Sequence, residues 1–184
     1  MPSPDLQNAW DRVLAGHADG LRQIHEALYA SMIDYACRLL QDEMLAEDAI
    51  QDVFVKAWQL RAQIGEVQSV RAYFFIMLRR HVLNVLRSRQ SRRRQQQQWQ
   101  QQVELDPVFS AEDIRVQAEH TRQQQQKIAT AVNELPARQR EVIWLKYYAG
   151  MEYQQIAAVM EINYQSVVNL AFKATQYLRK RLSG

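Results

Sequence analysis

Gln165, Ser166, Asn169, Phe172, Lys173 and Gln176 recur at intervals of three and four, which on a helix sets amides, a hydroxyl, a ring and a cation on one face. Such groups make and break no bonds. They pair with base edges in a wide groove and neutralise phosphate. A second set, Arg71, Phe75, Arg79, Arg80, Asn84, Arg87 and Arg89, combines cations with an amide and a ring on one helix side. That combination suits single-stranded nucleic acid, with cations tracking the backbone and rings taking unstacked bases. A third set mixes Asp48, Gln51, Asp52 and Lys56 with Phe54, Val55 and Trp58. The three large apolar residues cannot all face the same core as this helix's stripe, so either the helix offers an outer surface for another macromolecule or Phe54 and Trp58 pack against the flanking helices.

Bond-making chemistry has no support. There is no glycine-rich phosphate loop and no nucleophile beside a base, so an enzyme is not expected. Cys37 is the only cysteine and reads as a small buried residue, while His17, His25, His81 and His120 stand apart. No metal, other cofactor or small-molecule substrate is expected.

Helices must position all three sets. Nearly half the residues are apolar, with 5 Gly and 4 Pro in 184 residues, which favours an all-α chain of two small domains. The spacing predicts helices over 5–15 and 19–35, the second continuing through Leu40, and a stronger one over 44–60 with Leu45, Ala49, Val53, Ala57 and Leu60 along its stripe. Residues 61–70 form a polar loop around Gly65, and 71–89 form the Arg-rich helix, its apolar side carrying Tyr73, Phe74, Met77, Leu78, Val82 and Leu86. From Ser91 the chain turns Gln-rich, and 92–120 reads as a flexible linker.

The second domain is predicted to start with a helix over 118–134 and a second opened by Pro136. The apolar residues Ile156, Ala157 and Met160 end at Glu161-Ile162-Asn163, where Asn163 can cap a further helix from Tyr164. Val167, Leu170, Ala171, Ala174 and Leu178 face its core. Together these last elements make a helix-turn-helix.

Charge alternates along the chain. Residues 1–60 hold ten acids and four bases, and 61–94 one acid and nine bases; 95–135 hold six and three, and 136–184 three and seven. A basic block in each half provides two separated contacts with a polyanion. No basic leader, cleavage pattern or membrane-length apolar span is present, so a cytoplasmic location is expected.

In their order and separation, LAEDAIQDVFVKAW, VRAYFFIMLRRHVLNVLRSR and the stretch from Glu134 to Leu182 resemble regions 2.2, 2.3 to 2.4, and 4 of bacterial sigma-70 family initiation factors of the extracytoplasmic-function (ECF) group. DAIQDVF, SVRAYFF and YQSVVN look more like the versions found in Bacteroidetes. The resemblance implies region 2 over 1–91, the linker over 92–120 and region 4 over 121–184. It implies that Asp48, Gln51, Asp52, Phe54 and Val55 dock on core RNA polymerase, through its β′ clamp helices, with β the other subunit partner. Ile64, Gly65, Gln68 and Ser69 would form a loop pocket for a flipped base of the minus-10 element, and Arg79, Arg80, Asn84 and Arg87 would hold that strand. Gln165, Ser166, Asn169, Phe172 and Lys173 would read the minus-35 element of promoter DNA. An anti-sigma partner, often membrane-linked in such factors, is implied as well. Departures are Asn84, where many relatives carry Asp, and Val168, where many carry a base.

On residues alone, two rivals stay open: a two-domain regulator that binds duplex DNA without docking on polymerase, and a helical scaffold organised by the Gln tracts.

Overall fold

The computed structural model describes residues 5–94, 105, 107–109 and 122–183, and the side chains of 91–94 are left aside. The chain divides into two compact units, Met1–Val103 and Glu104–Gly184. All regular structure among the described residues is helical, as the composition predicts.

The first unit holds α1 (Leu6–Leu14), α2 (Ala18–Leu40), α3 (Glu43–Leu60) and α4 (Val70–Arg94). Asp5 starts α1 by accepting the N–H groups of Gln7 and Asn8 at 3.1 and 3.2 Å, satisfying donors that have no partner inside the helix. Gly20 marks the closest crossing of α1 and α2, since a Cβ there would lie 2.4 Å from the Ala9 carbonyl oxygen. Gln41 ends α2 in the left-handed region at φ 51°. Asp42 then caps α3 through Leu45 N–H at 3.2 Å and pairs with Arg89 at 3.0 Å. The Leu45 hydrogen bond, and then Arg89, hold its carboxyl below the usual range. One side chain thus starts α3 and ties it to the far part of α4.

The core of this unit is aromatic. Trp10, Tyr35, Phe74 and Phe75 are fully buried. Trp10 meets Phe74 edge to face at 6.0 Å, and Tyr35 meets Phe75 at 5.6 Å, geometries worth about 0.5–1.5 kcal/mol each beyond area burial. These contacts correct three expectations. Phe75 and Arg79, predicted on the outer side of α4, are 0% and 9% exposed. Both fall on the turn of helix that carries Leu78 and Val82 inward. Phe54, predicted on the outer face of α3, is 6% exposed and packs 4.8 Å from both the His25 and Phe74 rings. The buried stripe of α3 is Ala46, Ala49, Ile50, Val53, Phe54 and Ala57, which keeps the predicted Ala49, Val53 and Ala57 and widens toward Ile50 and Phe54. Leu45 and Leu60 are left half-buried at its edges. Cys37 is also only half-buried, and burial with nearby Glu43 and Asp34 pushes its thiol upward.

The second unit holds α5 (Arg122–Asn133), α6 (Ala137–Tyr147), α7 (Tyr153–Met160) and α8 (Tyr164–Leu182). Residues 118–121, most of 92–120 and His120 lie outside the described residues. Within that supposed linker, however, Leu105 and Phe109 are buried at 2% and 3%. Asn133 grips the Phe109 backbone both ways, accepting its N–H at 2.9 Å and donating to its carbonyl at 2.7 Å. The Phe109 ring lies 5.5 Å from Tyr148, which stacks on Trp144. Leu105 and Phe109 are a single pair four residues apart with Pro107 between them, too short a run to carry a periodic signal, which hid this seat. At the other end, Glu134 accepts from Tyr177 at 2.7 Å and from Arg181 at 2.9 and 3.1 Å. The Arg181 hydrogen bonds, then Tyr177, lower its carboxyl to about 2, so the end of α5 is tied to the last turn of α8.

A Cβ at Gly20 has a backbone oxygen in its way, so Gly20→Ala is expected to cost about 1–3 kcal/mol as overpacking. Urea unfolding of the whole chain, followed by circular dichroism, measures it. An unchanged midpoint would mean that α1 shifts freely on α2.

Candidate nucleic-acid interface

In the second unit α7 ends at Glu161, left-handed at φ 55°, and Asn163 accepts Ser166 N–H at 2.8 Å to start α8. The predicted turn and cap are therefore present. Val167, Ala171 and Ala174 are buried, while Leu170 and Leu178 are half-buried, which fixes the roll of α8. Gln165, Asn169, Phe172 and Lys173 point to solvent and Ser166 is half-exposed. Gln165 donates to Asn169 at 3.2 Å, so the two amides begin as one pre-aligned pair. Phe172 is 60% exposed, a large apolar ring that gains by meeting another apolar group such as a thymine methyl.

In the first unit the acidic and basic sets share a cleft of about 830 Å³ between α3 and α4. Asp52 and Val55 line it from α3, and Arg80 and Asn84 from α4. Arg87 donates to Asn84 at 3.5 Å on the exposed side. Three lining residues escaped the sequence reading as strand contacts: Lys56, Tyr73 and His81. Tyr73 counted only as core, yet it is half-buried, and burial pushes its hydroxyl upward. His81 lies 3.8 Å from Asp52. Its place one residue after Arg80 was the available signal. Asp48, Gln51 and Val55 are exposed along α3, whereas Phe54 supports that face from behind.

The loop between α3 and α4 builds a second cavity, of about 640 Å³. Ile64, Gly65 and Gln68 line it as predicted for a pocket, together with Gln7, Trp10, Asp11 and Leu14 of α1. The α1 share was invisible because nothing in the sequence brings residue 11 to residue 66. Ser69 is elsewhere engaged: its hydroxyl accepts Ala72 N–H at 3.2 Å, starting α4. No set of three or more potential metal ligands occurs among the described residues.

Residues 24–92 match the family model for sigma-70 region 2, and residues 125–178 match that for sigma-70 region 4. The chain is 30% identical over 173 residues to the ECF RNA polymerase sigma factor SigL of Mycobacterium tuberculosis, covering 91% of this chain and 92% of the relative. The chain belongs to the ECF group of sigma-70 family sigma factors. This sigma factor is also 24% identical over 168 residues to SigK of Mycolicibacterium vanbaalenii, with 90% and 83% covered. Its fold is like that of CnrH, solved with the cytosolic domain of CnrY, at TM-score 0.65, 19% identity and 96% of each chain. It is also like that of the sigma factor RpoE solved with the anti-sigma factor NepR from Bartonella quintana, at TM-score 0.63 and 24% identity, covering 90% of this chain and 98% of that one. As a sigma factor it acts with core RNA polymerase and directs transcription initiation at promoters.

The roll of α4 separates two adjacent arginines. Arg79→Ala should lower stability by about 1–3 kcal/mol, because a buried charged group and its stem are lost. Arg80→Ala should change stability by less than about 0.5 kcal/mol while weakening binding to single-stranded DNA. Denaturation and fluorescence anisotropy report the two effects, and the opposite pattern would mean α4 is rolled differently.

Proposed function

We propose that the first unit grips polymerase with the exposed face of α3 while the α3/α4 cleft and the loop cavity hold the opened minus-10 strand. What supports this is an acid and apolar face, Asp48, Gln51, Asp52 and Val55, whose last two residues also border a cleft bearing Lys56, Arg80 and Asn84. The first face suits a basic protein surface and the second a polyanion. In domain terms, 1–91 acts as region 2, 92–120 as the link and 121–184 as region 4, whose Gln165, Ser166, Asn169, Phe172 and Lys173 read the minus-35 duplex. The mechanism is binding and melting with no covalent step. Phosphate neutralisation and captured bases offset unstacking, which costs on the order of a few kcal/mol per flipped base.

The docking partners on polymerase are β′ and β, and the same surfaces are where an anti-sigma protein would compete. The structural relatives in complex with CnrY and NepR support such a partner here. The work is done in the cytoplasm. No helix among the described residues is long and apolar enough to cross a membrane. The relatives named above are mycobacterial, which lends no support to a Bacteroidetes origin.

Asp52 has 69% of its side chain exposed, so Asp52→Arg should leave the unfolding transition in place while lowering affinity for core polymerase at least tenfold; unaltered affinity removes α3 from the interface. Lys173→Ala should weaken binding to minus-35 duplex and flatten its dependence on log salt by about one unit of slope. An identical salt slope for the two proteins would mean that Lys173 neutralises no phosphate.

A further inference from the structure

Part of the stretch that the sequence assigns to the linker is built into the second unit. Leu105, Pro107 and Phe109 are buried while Val108 is 43% exposed, the alternation of an extended chain lying along a surface. Pro107 brings no N–H that would need a partner there. Phe109 has both backbone groups, and the Asn133 amide meets both, accepting at 2.9 Å and donating at 2.7 Å. Buried main chain without such partners would be costly. The Phe109 ring rests 5.5 Å from Tyr148, so this strap is tied to the last residue of α5 and to the residue that closes α6. The compact second unit accordingly begins at Glu104.

The seat divides the supposed linker in two. Residues 110–121 are bracketed by Phe109 and α5, both parts of the second unit, and add nothing to the reach between the units. Only 95–104 joins the end of α4 to the strap. At about 3.3–3.6 Å per residue, the chain from Arg94 to Leu105 spans at most about 40 Å, against about 100 Å for a free link over 92–120. Duplex DNA rises about 3.4 Å per base pair, so each base pair added between two bound elements takes up about one residue of slack. A tether of 95–104 feels a change of a few base pairs, whereas one over 92–120 hardly does.

Resting on the reading of the two units as holders of the minus-10 and minus-35 elements, we infer that the seat of Phe109 on Asn133 and Tyr148 sets the range of spacer lengths between those elements at which this sigma factor initiates. Phe109, Asn133 and Tyr148 are then positioning residues for promoter choice, acting through the length of the tether.

The test is run-off transcription by core RNA polymerase with the full chain, on a promoter recovered with that complex and rebuilt with spacers up to about three base pairs shorter or longer. Three proteins are compared: the unaltered chain, one with about ten Gly and Ser residues inserted within 95–104, and one with the same insert within 110–121. The first insert should reduce the loss of transcription on the longest spacer by about 3-fold or more. The second should leave the spacer profile as it is, because closing a longer pinned loop costs little more. Phe109→Ala combined with Asn133→Ala should make the second insert act like the first, and circular dichroism follows the fold of this variant; the two inserts alone, which leave the seat untouched, decide the matter if it unfolds. Identical profiles for all three proteins would overturn the inference, since polymerase alone would then fix the spacing. Equal broadening by both inserts would overturn it too, since the strap would not be holding. Initiation by the unaltered chain that ignores spacer length altogether would instead overturn the two-element reading.

Discussion

Two adjacent phenylalanines, Phe74 and Phe75, both fully buried, set the rotation of α4 about its axis, and the first unit's working surfaces follow from that angle. Neighbours on a helix point about 100° apart, so burying both leaves little freedom of roll. Phe74 lies under Trp10 and Phe54, and Phe75 under Tyr35, which draws α1, α2 and α3 onto one seam. With that angle set, Arg79 goes inside and Arg80, Asn84 and Arg87 go outside. The same seam turns Phe54 inward and leaves Val55 exposed beside Asp52, so the surfaces proposed to face polymerase and the DNA strand share one anchor.

On this unit carboxylates pair closely with arginines at the braces and stand more loosely in the cleft. Asp42 and Arg89 do pair, at 3.0 Å, but that pair spans the N-terminal end of α3 and the far part of α4, where it braces the two helices. Asp52 and His81 stand 3.8 Å apart in the cleft, a looser relation between partly exposed groups. Weak pairing suits a surface that must exchange its own contacts for those of a partner.

Periodicity made much of this legible. The helix-turn-helix, the Asn163 cap and the solvent face of α8 follow from apolar spacing and one capping residue, because short-range rules decide them. Errors arose where a helix had two candidate inward faces. On α3, Ala46, Ile50 and Phe54 took the interior places that the reading gave to Leu45 and Leu60. On α4, an arginine stem was buried, which a reading by charge places outside. Long-range matters were not legible at all: the seat of Phe109 on Asn133 and Tyr148, and the contribution of α1 to the loop cavity, depend on elements meeting far along the chain.

The second unit solves a different problem, that of holding a short helix still. With eight residues, α7 is below the length at which helix formation sustains itself in water, so its order comes from burying Ile156, Val159 and Met160. Its exit through Glu161 takes the left-handed conformation on a residue with a side chain, at a cost on the order of 1 kcal/mol. Asn163 offsets that cost by capping α8 two residues later, typically worth about 1 kcal/mol, and Gln155 returns to accept Glu152 N–H at 2.9 Å at the other end. A short helix fixed at its start by Gln155 and followed at once by the Asn163 cap has few alternatives, so α8 leaves α7 at one angle. On the proposed reading, Gln165, Asn169 and Lys173 are therefore already in register before DNA arrives, and little ordering entropy remains to be lost on binding.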